Sequence, residues 1–492
     1  MVRDPFNKHE HPTINLISRI FAVLFLVISS LFVYRIASTN FLPGKFFWPI
    51  FFASAFLNTV FFHITFCRRT DRTELIIFDI LSTIISIGLI LTNFRLGEIT
   101  DFINQNFGNE RKYSVYNVIV SKDSKANKLS DLNGSELFTY EEPVKEISND
   151  ELKEAVKNVI ADSTLTFRED LDIVMNRAAN LAEAGSVVNN GTYESYISVN
   201  EDYADKIKII GEIKIEIKGT ADNDKTEPKG TIADSPFLLF INGIDTRTGT
   251  MPTRSLSDVN ILAAVNPKTK KITLVAIPRD TYVQLHGTTG LKDKLTHSGS
   301  RGGIDLTVPT VEDFIGIKID RYIRVNFNFV TDLVDNIGGI TVTNDLNKTL
   351  KLDGCTYKPG DNKVDGKCAL RFARERKSYS TGDRHRGENQ EQVITRILEK
   401  VSHDKNIIAD SGKILNVMNG SFNTNITSDD ISALVKMQLN DMSEWTVESY
   451  NINGKGEMTK TYSYPNKNLY VMIADEKTVT TAKAKLLATL QN

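Results

Sequence analysis

The sequence predicts an α/β membrane protein with three N-terminal transmembrane helices, a small α/β accessory domain and an α/β sandwich with a central mixed sheet flanked by helices. Two observations predict this fold class. The first fifth of the chain is far more apolar than the rest, and the remainder alternates β-branched runs with stretches of helical periodicity. A chain of 492 residues is too long for one compact domain. We assign 1–96 to a cytoplasmic tail and the membrane helices, 97–220 to the accessory domain, 221–234 to a linker and 235–492 to the sandwich.

Three apolar stretches, residues 20–34, 46–66 and 75–94, are each close to the roughly 20 residues that cross a hydrocarbon core. A cleaved signal peptide would carry one such stretch and not three. Basic residues are concentrated in the N-terminal tail and in link 68–72, whereas the link between the first two stretches carries one lysine, Lys45. The positive-inside rule therefore predicts a multi-pass protein of the cell membrane, with a cytoplasmic N-terminus and soluble domains outside.

The accessory region shows both strand and helix patterns. Residues 113–120 and 209–218 alternate apolar and polar side chains, as half-buried strands do. Residues 149–160 and 167–181 show helical spacing, and the first of them has acidic residues in its first turn. This region contains no convincing catalytic cluster. An amphipathic bridge, residues 97–107, would connect it to the third membrane stretch.

The C-terminal region alternates predicted strands with predicted helices, which is typical of an α/β sandwich. The strands are predicted at 237–241, 259–265, 272–277, 322–327 and 340–342, and the helices at 308–314, 330–337 and 386–403. Two cysteines in this region, Cys355 and Cys368, either pair across a short loop outside the cell or stay unpaired and buried, and geometry has to decide.

Polar residues recur where these strands begin or end. Asp245 follows the first strand, Asp258 precedes the second, and Arg279 and Asp280 follow the third. In open α/β sheets, binding sites form beyond the carboxyl ends of strands. Guanidinium groups bind phosphate oxygens bidentately, and aspartate oxygens are ligands for Mg²⁺. The pattern therefore suits a pyrophosphate substrate.

Further arginines follow in the last third of the chain. Arg374 and Arg376 would share a face if their segment is extended, and Arg386 and Gln390 share a face of the last predicted helix. An isolated arginine or aspartate is most often a solvated surface group, so composition alone leaves that alternative open. The net charge of -2 argues against a nucleic-acid binder that works by bulk attraction.

Taken together, the motifs resemble the LytR–CpsA–Psr family in order and spacing. The resemblance covers residues 235–403 closely. The three-span anchor with an added α/β domain is similar to the streptococcal capsule-type branch, whose members carry an accessory domain. The motifs that carry the resemblance are Asp245, 254–260, 277–282, 325–327, 335–340, Arg374-Glu-Arg376 and the segment through Gln390.

The resemblance implies a Mg²⁺-dependent phosphotransferase with pyrophosphatase activity as a side reaction. It would move a polysaccharide, capsular in this branch, from a polyprenyl-pyrophosphate carrier in the membrane onto peptidoglycan through a phosphodiester. Asp245 and Asp258 would be the metal-associated carboxylates, and Arg254 and Lys294 would contact the substrate. The general base stays open between Asp258 and Asp280. By position, the catalytic residues would be Arg279, Asp280, Arg374, Arg376, Arg386 and Gln390.

A second hypothesis is a non-catalytic membrane regulator that binds lipid-linked polysaccharide intermediates and modulates capsule synthesis, with capsule synthesis proteins as partners. The segment 296–303 departs from the family pattern, so His297 and Arg301 receive no role. A lipid tail needs an apolar pocket, although core packing is the ordinary alternative for each candidate. Those candidates are Val311, Phe314, Ile315, Phe327, Phe329, Val330, Leu333 and Val334.

Overall fold

The structure is a computed structural model that describes residues 12–67, 72–107, 112–143, 145–217, 232–244, 246, 251–379, 383–403, 422–441 and 443–491. The described residues form two compact units. The first unit draws on Met1–Phe107, Thr231–Ala233 and Thr427–Ser443. The second draws on Gly108–Gly230, Asp234–Ile426 and Glu444–Asn492, so the accessory region and the sandwich share one unit.

Three long helices make up the N-terminal part of the first unit. Helix α1 spans Pro12–Thr39, α2 spans Gly44–Phe62 and continues as a π-helical turn at His63–Cys67, and α3 spans Arg72–Asn106. All three are long and apolar enough to cross a membrane. With the π-helical turn counted in α2, each helix extends beyond its predicted apolar stretch at both ends. The predicted bridge is accordingly the last part of α3.

The accessory region forms a five-stranded mixed sheet in the order β3-β2-β4-β1-β5. The expected helix at 167–181 is wrong at its start, because Phe167 lies in a strand and Asp170 caps the helix by accepting from the Asp172 amide. The elements are β1 Lys112–Ser121, β2 Glu136–Tyr140, α4 Asn149–Val159, β3 Thr164–Arg168, α5 Leu171–Asn180, β4 Gly185–Asn189, α6 Asn190–Val199 and β5 Ile207–Ile217, with 3-10 turns at Leu129–Leu132 and Glu201–Asp205.

The sandwich begins with a strand-rich half. Helix α7 contains a break at Gly303, whose φ of 62° is favourable for glycine. The elements are β6 Phe237–Ile244, β7 Ser257–Asn266, β8 Lys271–Ala276, β9 Tyr282–Val283, β10 Asp293–Lys294, α7 Leu295–Ile315, β11 Arg321–Asn326, α8 Phe327–Asn336 and β12 Ile340–Asn344.

The second half of the sandwich adds hairpins and long helices. Helix α11 belongs to the first compact unit, and the other elements belong to the second. The elements are β13 Leu350–Leu352, β14 Cys355–Tyr357, β15 Gly360–Val364, α9 Gly366–Arg374, α10 Asp383–His403, β16 Phe422–Thr424, α11 Ser428–Asp441, β17 Thr446–Asn451, β18 Gly454–Lys460, β19 Asn468–Ala474 and α12 Glu476–Gln491.

The central sheet has six strands in the order β16-β11-β6-β7-β8-β17. Strands β11 and β6 are parallel, as are β8 and β17, whereas the other neighbours are antiparallel. The sheet is therefore mixed, which confirms the predicted fold class. Helices α7 and α12 pack on the strands through a buried core that includes Leu238, Phe240, Leu262, Val275, Val311 and Leu486.

A second core joins α8, α9 and α10 to β12, with Val334, Val342, Phe372 and Val393 buried in it. The residues proposed to line a lipid pocket are divided between the two cores. Those on α7 pack in the first core, whereas Val334 and its neighbours on α8 pack in the second. Ordinary core packing thus accounts for most of that set.

A disulfide joins Cys355 of β14 to Cys368 of α9, with the two Cα atoms 5.6 Å apart. That separation lies within the range that a disulfide bridges. The geometry therefore decides the question that the sequence left open in favour of pairing. The bond holds the first turn of α9 against the short hairpin β13–β14.

Candidate active site

The carboxyl ends of β6, β8, β11 and β17 lie along one edge of the central sheet. Strand β6 ends at Ile244, which pairs with Asn326 at the end of β11 and with Ser257 at the start of β7. Strand β8 ends at Ala276, which pairs with Asn451 at the end of β17. Polar loops that leave this edge therefore meet in one place, where a site is expected.

A β-bulge at this edge presents Asp258. Gly243 pairs with Val259 and Ile244 pairs with Ser257, so Asp258 is the extra residue of β7. Bulges re-aim a side chain and are common beside active sites. The close approach requires glycine at 243, because a Cβ atom there would lie 2.8 Å from Cβ of Val259.

Alternating charges surround the bulge. The Nη1 group of Arg279 donates to Oδ1 of Asp258 at 2.9 Å, and the Thr296 hydroxyl donates to the same oxygen at 3.3 Å. The Nε of Arg279 lies 3.8 Å from Oδ2 of Asp280, and Lys294 donates to Oδ1 of Asp280 at 2.9 Å. We call these five residues the charged cluster. It brings together the start of β7, the loop after β8 and the junction between β10 and α7.

The cations of the charged cluster keep Asp280 ionised. Burial raises the pKa of the Asp280 carboxyl, but the attraction of Lys294 and Arg279, with a smaller contribution from Arg386, outweighs it, and the net pKa is lowered from 3.8. Asp280 is only 7% exposed. Its negative charge is therefore held at the site and fixes the direction of two cationic side chains.

Several other predicted site residues lie outside the charged cluster. Arg374 is the last residue of α9, so the segment that it shares with Arg376 is not a single extended strand, and Arg376 is exposed beyond the helix end. The Arg374 guanidinium lies 4.6 Å from the ring centre of Phe327, the residue after β11 at the same edge. Gln390 is partly buried, one turn after Arg386 on α10. Asp245 lies outside the described residues.

Arg254 is held against the accessory domain. Its Nη1 pairs with Glu142 at 3.2 Å, its Nε donates to the Ser300 carbonyl at 3.0 Å, and its side chain is 6% exposed. These contacts bury the guanidinium in an ion pair. The predicted substrate contact of Arg254 stays a prediction, whereas its contact with Glu142 is a structural fact.

Two residues at the edge escaped the sequence reasoning. Thr296 has no charge that would single it out, although it lies two residues after Lys294. Glu391 adjoins Gln390 in sequence, but it is buried and accepts hydrogen bonds from the Ala276 amide and the Asn451 side chain, each at 3.1 Å. An acidic residue among the apolar positions of a predicted helix was the available signal for Glu391.

The charged cluster offers oxygen atoms of the kind that Mg²⁺ binds. Oδ1 of Asp258 accepts from Arg279 and Thr296, and Mg²⁺ typically uses one or two carboxylates plus phosphate oxygens. Among the described residues, no group of three or more His, Cys, Asp or Glu side chains is placed to hold a metal ion. The assignment of Asp258 as a magnesium ligand therefore stays a prediction, as does that of Asp245, which lies outside the described residues.

Comparison with known proteins gives a consistent picture. The model of the LytR_cpsA_psr family matches residues 206–485. The chain is 38% identical over 196 residues to the polyisoprenyl-teichoic acid–peptidoglycan teichoic acid transferase TagU of Bacillus licheniformis, covering 40% of this chain and 62% of that protein. It is 33% identical over 252 residues to biofilm regulatory protein A of Streptococcus mutans, covering 48% of this chain and 61% of that protein.

Among solved structures, the crystal structure of Bacillus subtilis TagV matches at 32% identity with a TM-score of 0.44, covering 52% of this chain and 98% of that one. The chain spans less than two thirds of the length of the TagU and biofilm regulatory relatives. The range matched by the family model, residues 206–485, includes nearly the whole sandwich.

Proposed function

Because the chain belongs to the LytR_cpsA_psr family, we propose that it transfers a glycopolymer from a polyprenyl-pyrophosphate carrier onto peptidoglycan through a phosphodiester. The charged cluster carries this proposal, since it places a guanidinium and an ammonium beside two carboxylates at one sheet edge. The name of the TagU relative, a teichoic acid–peptidoglycan transferase, supports the same class of reaction.

In the proposed reaction, a sugar hydroxyl of peptidoglycan attacks the polymer-proximal phosphorus of the pyrophosphate. A P–O bond forms to the acceptor, the bond to the distal phosphate breaks, and polyprenyl phosphate leaves. Arg279 and Lys294 would offset the charge on the transferred and leaving phosphates, since their partners Asp258 and Asp280 already aim them at the edge. Arg374 and Arg386 would contact the same pyrophosphate, with Gln390 beside Arg386 as a polar neighbour.

The proton of the attacking hydroxyl needs a carboxylate. The transition state of phosphoryl transfer is loose, so the proton is released late and a weakly basic acceptor suffices. We assign that role to Asp280, whose pKa is lowered, and leave Asp258 for the metal. Mg²⁺ held by Asp245 and Asp258 would supply further charge neutralisation on the pyrophosphate.

We also propose that the polymer is capsular polysaccharide and that the sandwich lies outside the cell. The first point rests on the three-span anchor and the added accessory domain. The disulfide supports the second, because such bonds persist in oxidising compartments.

The test uses the purified full chain in lipid nanodiscs with a polyprenyl-pyrophosphate-linked saccharide, a peptidoglycan acceptor and Mg²⁺. We expect Arg279→Ala to lower the rate of transfer by at least about a hundredfold, because removal of a preorganised charged donor costs that much in comparable sites. Arg168→Ala is the matched control, because Arg168 is an exposed arginine of the accessory domain. Transfer that is unchanged in Arg279→Ala would contradict the proposal.

The alternative function is that of a non-catalytic regulator of capsule synthesis. The similarity to biofilm regulatory protein A supports this alternative. The same assay separates the two functions. Release of polyprenyl monophosphate supports the enzyme, whereas saturable binding of the lipid-linked saccharide without release of monophosphate supports the regulator. Removal of Mg²⁺ with a chelator is expected to abolish release, and release that persists without divalent ions would overturn the metal assignment.

A further inference from the structure

The segment of residues 253–257 enters the bulge that carries Asp258, and it is enclosed on two sides; we call it the clamped segment. The Thr253 amide donates to the Tyr113 carbonyl of the accessory domain at 2.9 Å, and the Ser255 amide donates to the Gly299 carbonyl of α7 at 3.2 Å. A Cβ atom at Gly299 would lie 2.4 Å from the Ser255 carbonyl oxygen. The backbones on this side therefore touch with no room for a side chain.

Helix α6 of the accessory domain closes the other side. A Cβ atom at Gly191 would lie 2.5 Å from the Ser300 carbonyl oxygen and 2.8 Å from Cβ of Arg254. The Asn190 side chain donates to the Arg254 carbonyl at 3.3 Å. One helix thus contacts both the clamped segment, which leads into Asp258, and the first part of α7, which carries Thr296.

Glu194 makes the central contact of α6. One oxygen of its carboxyl accepts from the Ser255 hydroxyl at 2.6 Å and from the Leu256 amide at 2.9 Å, and the other accepts from Asn190 at 3.0 Å. Desolvation raises the pKa of the Glu194 carboxyl to about 7, against the lowering effect of those three hydrogen bonds. The Leu256 amide lies two residues before Asp258, so Glu194 fixes the backbone directly at the entrance to the bulge.

We propose that Glu194 is a positioning residue for the transfer reaction. Through Glu194, the accessory domain holds the clamped segment in the position in which Asp258 accepts its hydrogen bond from Arg279. This inference rests on the proposed function for its kinetic consequence, and on the contacts alone for its structural one. The Leu256 amide that donates to Glu194 lies in the sandwich, directly before β7, so the bond reaches the segment that leads into Asp258. Asp258 is held on one side by Arg279 and Thr296 and, through its own chain, by Glu194 on the other.

The experiment compares Glu194→Ala, Glu194→Gln and the control Glu154→Gln, an exposed carboxylate on α4, in the full chain in nanodiscs. Glu194→Ala leaves the Leu256 amide and the Ser255 hydroxyl without their acceptor. We expect kcat to fall by about ten- to a hundredfold with KM nearly unchanged, since misplacement of a catalytic group by about 1 Å has that cost. Glu194→Gln keeps one acceptor oxygen and should retain kcat within about threefold of the wild type.

Amide hydrogen exchange of the same proteins gives a readout that does not depend on activity. In Glu194→Ala, exchange should rise in residues 277–283, which Glu194 does not contact, and stay unchanged in β4 of the accessory domain. Faster exchange in β4 together with an equal loss of kcat in both Glu194 variants would mean that the accessory domain has merely unfolded, and it would overturn the proposal. Unchanged exchange in 277–283 would overturn it as well.

The two proposals fail separately. If the wild type shows no transfer, the proposed function fails, and hydrogen exchange alone then decides whether Glu194 positions the Asp258 strand. If the wild type transfers and Glu194→Ala matches it in kcat and in exchange, the positioning role fails while the proposed function stands.

Discussion

At the residue scale, the candidate site depends on buried carboxyl groups that differ in environment. Asp280 is paired with cations, which lowers its pKa, whereas Glu391 has polar but uncharged partners and burial raises its pKa to about 8. The Glu391 carboxyl bridges the Ala276 amide of β8 and the Asn451 side chain of β17. It therefore ties α10 to the strand that leads directly into Arg279.

The raised pKa of Glu391 predicts a pH dependence of stability. Above about pH 4.5 the unfolded chain releases the proton, whereas the folded chain retains it until about pH 8. The folded state therefore binds more protons in that window, and its stability falls as pH rises. Glu391→Gln should remove this decline and gain on the order of 2 kcal/mol at pH 8, with little change at pH 5. The effect is measured as the change in melting temperature Tm between pH 5 and pH 8. An equal change in the wild type and in Glu391→Gln would contradict the prediction.

The contact of Arg254 with the accessory domain could not be predicted from the sequence. Arg254 stands in a family motif, yet its guanidinium pairs with Glu142 of the accessory domain. Nothing in the spacing of residues 254–258 shows which domain Arg254 faces. Its partner lies more than a hundred positions earlier in the chain, and only folding of the accessory domain brings the two together.

At the scale of elements, the bulge in β7 does more than the strand itself to place Asp258. Gly243 permits the bulge by its close approach to Val259. The side chains of Asn242, Ser257 and Asn260 form a buried hydrogen-bond network around it, with Ser257 donating to Asn260 at 2.6 Å. A strand that is both bulged and hydrogen-bonded in this way holds the bulged residue, Asp258, rigidly in place.

Gly243→Ala tests the role of the bulge. The added methyl group would meet Val259 at 2.8 Å, so we expect a loss of about 1–3 kcal/mol of stability by overpacking and a fall in transfer rate. The double variant Gly243→Ala/Val259→Gly removes both contacting atoms, Cβ and Cγ2 of Val259, and should recover part of both losses. Urea denaturation and the transfer assay measure them, and a double variant as impaired as the single one would contradict the steric argument.

Helix α9 is not among the helices that the sequence predicts. The apolar residues Ala369, Phe372 and Ala373 are buried on one side of this short helix, which ends at the arginine pair. Its first turn is capped by Asp365 and held by the Cys355–Cys368 disulfide. A nine-residue helix gives a weak periodic signal, so the disulfide and the second core determine it.

At the scale of the whole molecule, three helices that are long and apolar enough to cross a membrane precede the accessory region and the sandwich. Helices α1 and α3 meet through Ser18, which donates to Asp79 at 2.7 Å, and α1 and α2 through Asn58, which donates to Ser29 at 2.8 Å. Polar pairs of this kind satisfy groups that would be costly in hydrocarbon. Helices α1, α2 and α3 therefore pack together as a bundle.

The proposed orientation predicts a labelling pattern. In a Cys67→Ser background, a cysteine introduced by Asn40→Cys should react with a membrane-impermeant thiol reagent added to intact cells, because the proposed orientation puts the link after α1 outside. A cysteine introduced by Thr73→Cys, at the start of α3, should react only after permeabilisation. The reverse pattern would overturn the orientation, and the native Cys355–Cys368 pair should stay unreactive in both.

The sequence by itself determined the three apolar spans, the mixed α/β class, the family motifs and the set of strand-end residues that includes Asp258, Arg279 and Asp280. Hydropathy, periodicity and local motif order carry that information because they depend on residues near one another in the chain. Only the tertiary structure decided that Lys294 and Thr296 join the charged cluster and that Cys355 and Cys368 pair. It also decided that Glu194 binds the segment that enters the bulge. These contacts depend on sheet register and on the packing of one domain against another, which no local pattern encodes.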